Sequence, residues 1–240
     1  MSDFSGLSAL LLNCSLKTSA EESHTRRLLA RVAGVMEAEG VPAEILHVLD
    51  HHVAFGMVED ATEHGADRDD WPMIQEKVMA ADILVIGAPI WLGVKSSVAT
   101  LAIERLYASS GHTNDKGQWL YYGKAGGCVI TGNEDGVKAC SMEILYGLQH
   151  LGYMIPPQAD CGWIGEAGPG PSYGDVVDGA AVPAGYDNEF TNRNATFMAW
   201  NLMHTAAMLR DSGGIPAEGN TSHGWRDGSN AADIEPGPVD

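Results

Sequence analysis

Three short runs, 8–14 (SALLLNC), 82–88 (DILVIGA) and 125–131 (AGGCVIT), are apolar almost without interruption, and each precedes a longer stretch whose apolar residues recur with helical period. A strand wetted on one side alternates apolar and polar residues, whereas one buried on both sides does not. The runs therefore predict a parallel sheet covered on both faces, and the helical stretches supply the crossovers that parallel strands need.

Along the chain, the run 8–14 predicts a first strand. The segment 22–39 predicts a helix through Leu28, Leu29, Val32, Val35 and Met36, ended by Gly40. Residues 43–48 read as a second strand, 50–70 as a polar, His-rich and acidic surface excursion, and 71–80 as a short helix. The strand 82–88 is expected to halt at Pro89. A helix over 94–110, a strand over 125–131 and a helix over 137–151 follow. The last strand is expected at 153–159, on a sheet edge because of Pro156 and Pro157. The result is a doubly wound α/β domain over 1–212, with a five-stranded parallel sheet and helices on both faces. It carries a Gly- and Pro-rich loop extension at 162–185 and a C-terminal helix within 187–212, apolar around most of its circumference at Phe197, Met198, Trp200, Leu202, Met203 and Met208. Such a helix predicts self-association into a homodimer or homotetramer. Residues 213–240 read as a flexible acidic tail.

Acidic residues outnumber basic ones, 32 to 14, for a formal charge of −18. Repulsion from phosphate backbones makes a nucleic-acid partner unexpected. The start at 1–6 has no basic flank of the kind that opens a secretory leader, and the apolar stretch 83–94 is too short to span a bilayer. The expectation is a cytoplasmic protein with no membrane partner. Cys14, Cys128, Cys140 and Cys161 are scattered without CxxC spacing and read as small buried hydrophobes.

Doubly wound sheets bind ligands outside the carboxyl ends of their strands, so function is sought in three loops. The first holds Ser15, Lys17, Ser23, His24 and Thr25 ahead of a helix. It is neither a dinucleotide fingerprint nor a P-loop, but hydroxyls at a helix N-terminus suit a phosphate monoester. Ser23 or Thr25 would equally serve as an ordinary cap of the helix. The second loop, Pro89, Ile90, Trp91, Leu92 and Gly93, offers an aromatic and backbone groups to a flat heterocycle, unless Trp91 belongs to the core. The third, Thr131, Gly132, Asn133, Glu134, Asp135 and Gly136, opens a helix and allows close backbone approach; its plain alternative is a capped turn.

Taken together, S-L-K-T-S…S-H-T, A-P-I-W-L-G and T-G-N-E-D-G resemble the flavodoxin-like NADPH-dependent FMN reductase family over roughly 8–171. The resemblance implies that Ser15, Lys17, Ser23 and Thr25 hold the phosphate of FMN, with His24 where many members carry Asn. It implies that Pro89, Ile90, Trp91, Leu92 and Gly93 line one side of the flavin ring, and Thr131, Gly132, Asn133, Glu134 and Gly136 the other edge. Trp163 or Tyr173 is a candidate cover for the flavin or the nicotinamide. The implied function is an FMN-dependent oxidoreductase with NAD(P)H as co-substrate, passing hydride through FMN to a small-molecule electron acceptor such as a quinone or free flavin. A flavodoxin-type electron carrier is the alternative. No side-chain acid or base is expected to be catalytic, because the cofactor carries the chemistry.

Other candidates are weaker. His47, His51, His52 and His64 with Asp50 and Asp60 have the side chains of a zinc site but read as polar surface, so no metal is expected. Ser15, Ser141 and Ser172 lack the G-x-S-x-G elbow of a hydrolase nucleophile. Glu104 and Arg105 read as a surface or structural ion pair.

Overall fold

The computed structural model describes residues 2–168, 170–226 and 228. The continuous apolar runs are buried strands: β1 (Ala9–Asn13), β3 (Ile83–Trp91) and β5 (Ala125–Gly132) occupy the middle of the sheet. With β2 (Ala43–His47) and β6 (Asp160–Ile164) at the edges, the order β2-β1-β3-β5-β6 is parallel throughout. Successive side chains of β3 explain why both faces had to be apolar. Ile83 and Val85 pack under α1 (His24–Ala38) and α5 (Glu189–Asp211), while Leu84 and Ile86 pack under α2 (Trp71–Ala80), α3 (Ser97–Ala108) and α4 (Val137–Leu151). The fit on the first face is close: a Cβ at Gly87 would stand 2.5 Å from Leu29 Cδ1.

Four element boundaries differ from the sequence reading. The strand does not halt at Pro89. Gly87 accepts from Cys14 N–H at 2.8 Å, and two residues on Pro89 faces the same side, where β1 has already ended, so no ladder bond is lost. Pro89 pairs instead with Thr131. The helix expected from Val94 starts at Ser97, because Leu92 and Gly93 make a two-residue turn with positive φ (53° and 78°) that folds β4 (Val94–Lys95) back on β3. Ser96 then caps α3, accepting from Ala99 N–H at 3.2 Å and donating to Cys14 O at 2.6 Å.

The last strand is not 153–159. Met154 makes a single bridge to Ala125 before Pro156, Pro157 and the left-handed Gln158 (φ 54°) break the pairing, which resumes as β6 at Asp160 and runs on to Ile164, into the expected loop extension. The start of the expected flexible tail is also anchored. Gln118 Nε2 donates to Ile215 O, Pro216 O and Asn220 Oδ1, and a short helix α6 (Ser222–Arg226) follows. Residues 227 and 229–240 lie outside the described chain.

The excursion 50–70 is fastened from within. Arg105 does not pair with Glu104: its guanidinium is fully buried against Asp69 at 2.6 Å, donates to Ala54 O and Glu59 O, and lies over the Trp71 ring. Burial by itself would raise the Asp69 pKa, but the N–H groups of Ala61, Trp71 and Ala54 and the Arg105 guanidinium hold it below the usual carboxylate value. His47 is likewise buried and not a surface residue.

The helix α5 is capped by Asn188, which accepts from Thr191 N–H at 2.9 Å. Its apolar residues divide between two sides: Met198, Leu202 and Met203 are buried on the sheet, whereas Phe190, Phe197 and Met208 are exposed.

Candidate active site

The carboxyl ends of β1, β3 and β5 open into one cavity of about 740 Å³, within the usual range for small-molecule sites of roughly 300–1,000 Å³. It lies where the chain order reverses, with β1 leading outward to β2 and β3 leading the other way. Twelve of the fifteen residues proposed from sequence line it: Ser15, Lys17, Ser23, His24 and Thr25 from the first loop; Pro89, Ile90 and Trp91 from the second; and Thr131, Gly132, Asn133 and Glu134 from the third.

The remaining three, Leu92, Gly93 and Gly136, do not line it and act on its frame. Leu92 is 91% exposed, yet its N–H donates to Glu134 Oε1 at 2.9 Å, tying the second loop to the third. Gly136 has φ +136°, and a Cβ there would stand 2.7 Å from Gly93 O. The two loops can touch this closely only because position 136 is glycine, whereas Gly93 serves the turn after β3 through its φ of +78°.

In the first loop the polar side chains gather around the start of α1, with the Ser15 hydroxyl donating to Lys17 O at 3.2 Å. Ser23 is the N-cap: its Oγ accepts from Arg26 N–H and from Asn13 Nδ2, each at 3.2 Å, which leaves its own proton to donate. Thr25 and Thr131 share a hydrogen bond of 2.8 Å, so the first and third loops meet at buried hydroxyls on the cavity floor. Lys17 Nζ donates to Glu22 O at 2.8 Å and keeps two further protons. Glu21 also lines the cavity, its carboxylate held by the N–H and hydroxyl of Thr18 at 3.2 and 3.4 Å, while Glu22 is paired with Arg27 at 2.8 Å. Trp91 is half exposed and offers its ring to the cavity as a ledge; it is not a core residue.

Leu16, Glu21, Gly168, Ser172 and Tyr173 also line the cavity, and of these the sequence singles out Tyr173 alone, as a candidate cover. The last three belong to a strap after β6, sewn down on both sides. Asn133 Nδ2 donates to Gly170 O and Pro171 O at 3.0 Å, and its Oδ1 accepts from Ser172 Oγ at 2.9 Å. On the opposite side, His24 Nδ1 donates to Tyr173 O at 3.0 Å, and Asp175 stands 3.5 Å from both His24 and Arg27. Tyr173 packs edge-on against Trp163, and burial pushes its hydroxyl pKa up to about 12, so it is neutral at physiological pH. Asn133 beside a Gly-Pro-rich stretch was the available signal, but sequence spacing could not show that the two meet.

Among the described residues, no group of three or more His, Cys, Asp or Glu side chains is arranged to hold a metal. Burial raises the thiol pKa values of all four cysteines, which suits small hydrophobes better than nucleophiles.

The strand order 2-1-3-4-5 among the parallel strands, with a strand-end cavity that joins a hydroxyl-lined helix start to an aromatic ledge, defines a flavodoxin-like protein of the flavin-binding class. The chain belongs to the NADPH-dependent FMN reductase family, whose profile matches residues 7–163. It is 54% identical over 230 residues to a Mycobacterium bovis protein named divalent metal cation transporter MntH, covering 91% of this chain but only 33% of that one. The chain thus spans about a third of that relative, and among the described residues no helix is long and apolar enough to cross a membrane. It is 35% identical over 212 residues to 8-demethyl-8-aminoriboflavin-5′-phosphate synthase of Streptomyces davaonensis, covering 86% of this chain and 79% of that one. The crystal structure of RosB with bound intermediate 8-demethyl-8-formylriboflavin-5′-phosphate superposes with a TM-score of 0.81 at 32% identity, covering 98% of this chain and 92% of that one. Family membership implies a flavin-binding protein of oxidoreductase type.

Proposed function

We propose that the cavity binds FMN, and that the chain uses it to take hydride from NAD(P)H and deliver it to a small-molecule acceptor such as a quinone or free flavin. One observation carries this reading: a single cavity combines the donor-rich start of α1, the Trp91 ledge and the polar edge of the third loop, the three surfaces a phosphorylated flavin presents. The residues fit the group. Ser15 and Ser23 hydroxyls and the Lys17 ammonium lie at a helix N-terminus, where an anion is favoured.

When bound, FMN supplies a ring that accepts and releases hydride. The chain's part is positional. Ser15, Lys17, Ser23, His24 and Thr25 anchor the phosphate; Pro89, Ile90 and Trp91 support one face of the ring; Thr131, Gly132, Asn133 and Glu134 border it. The strap at Ser172 and Tyr173 excludes water from one flank. Donor and acceptor alternate at the open face, with one NAD(P)H and one proton consumed per two-electron reduction of the acceptor. The cytoplasm, where NAD(P)H is held, is the setting this reading requires.

A second reading treats the flavin phosphate as the substrate to be altered. It is favoured by the likeness to RosB, which extends over nearly the whole chain, and whose structure holds a flavin-phosphate intermediate. Mass analysis of the flavin after turnover with NAD(P)H and a quinone separates the two. Unchanged FMN with reduced quinone supports the oxidoreductase, and a flavin of altered mass supports the modifying enzyme.

We also propose self-association through α5, where Phe190, Phe197 and Met208 leave an apolar stripe in water. Light scattering at micromolar concentration is expected to report a dimer or tetramer, and Phe197→Glu to shift it toward monomer. A wild-type monomer contradicts this.

A further inference from the structure

Asn13 ends β1 beneath the first loop, fully buried, and its amide can be oriented by elimination. Ser15 N–H, 3.3 Å away, can only donate, so it faces Asn13 Oδ1. The two amide protons of Asn13 then point to Ser23 Oγ at 3.2 Å and to His47 Nδ1 at 3.1 Å. That nitrogen must be bare, which places the imidazole proton on Nε2. His47 is itself buried at the end of β2, and its Nε2 has no hydrogen-bond partner of normal geometry. One amide thus fixes the first residue of the first loop, the N-cap of α1 and a histidine that does not itself line the cavity.

We propose that His47 is a positioning residue for flavin-phosphate binding: its neutral, Nε2-protonated form holds the Asn13 amide that shapes the first loop, and its protonation releases that loop and weakens binding. The proposal rests on the FMN reading of the cavity. A proton on Nδ1 would face the protons of Asn13 Nδ2, donor against donor. The relief is to turn the amide over, which presents Nδ2 to Ser15 N–H and frees the loop at its first residue.

The surroundings favour the neutral form. Burial, the largest influence, lowers the pKa of His47; Asp50 in the following turn works against this, Arg26 on α1 works with it, and the Lys17 backbone favours the charge. The net direction is downward, so the arrangement is intact above the ordinary imidazole value of about 6.5 and fails as pH falls through the lower folded value.

The test is FMN titration of the full chain, wild type against His47→Gln, across a pH series. Glutamine retains an oxygen that can accept from Asn13 but does not titrate. The second ionisation of the flavin phosphate, near pH 6, weighs on both proteins alike, so the readout is the ratio of their dissociation constants. The ratio is expected to stay within about threefold at about pH 8 and to move progressively against the wild type as pH falls through the folded His47 value. Parallel profiles overturn the proposal. Imidazole nitrogen NMR of the wild type gives a second decision that needs no variant: the Nε2–H tautomer at neutral pH is expected, and the Nδ1–H tautomer overturns the proposal. If the chain binds no FMN at any pH, the reading of the cavity falls, while the tautomer still decides the role of His47 in the loop.

Discussion

Asp69→Ala is expected to destabilise the chain by about 3–5 kcal/mol, because it strands a buried guanidinium without its counter-charge. The side chains of Arg105 and Asp69 are both wholly buried, and the carboxylate accepts at the same time from Ala54 N–H at 3.3 Å and Ala61 N–H at 2.9 Å. Removing it therefore unpairs backbone groups as well as the ion pair. The damage should spread to the first loop: Asp50, at the head of the same excursion, accepts from Ser19 N–H at 2.8 Å. Chemical denaturation of wild type and variant reads the effect as a lower midpoint, and a change under about 1 kcal/mol would show that the pair is not the fastening it is taken to be. The pH dependence has a definite sign. The Asp69 pKa is held below its ordinary value, so its contribution is complete above that value and is lost as pH falls through the folded one.

The Ser15→Ala, Thr25→Val double variant is expected to lose FMN affinity by about 100-fold or more, at about 1.5–3 kcal/mol for each hydrogen bond to a charged group. Riboflavin, which has the ring but no phosphate, should bind the two proteins within about threefold of each other. Valine keeps the bulk of Thr25 but deprives Thr131 of its 2.8 Å partner, so thermal midpoints must accompany the titrations. An equal loss for both ligands would mean that the hydroxyls shape the cavity without contacting phosphate. Undiminished FMN binding would remove the phosphate assignment altogether.

The sheet was legible because burial on both faces leaves no polar residue in β1 from Ala9 to Leu12 or in β3 from Ile83 to Ala88, and because α2 and α4 begin and end where their apolar period does. The strand-end loops were legible for the same reason, since the topology decides which ends converge. What the pattern misjudged depends on partners distant in sequence. Pro89 is tolerated in β3 only because β1 stops short of it. Arg105 finds Asp69, 36 positions away, in preference to its neighbour Glu104. The strap reaches the cavity through Asn133 and His24, and the His24 bond to Tyr173 spans 149 positions. The close approach that glycine permits at Gly136 is made to Gly93, on the neighbouring loop, a partner its sequence position does not reveal.

Anaerobic stopped-flow mixing of the FMN-loaded chain with NADPH and with NADH, following the visible absorbance of oxidised flavin, tests the proposed function most directly. Rapid two-electron bleaching by at least one donor, reversed on adding a quinone, is the predicted result. Bound FMN that stays oxidised with both donors would contradict the account and leave an electron carrier or a flavin-modifying enzyme in its place.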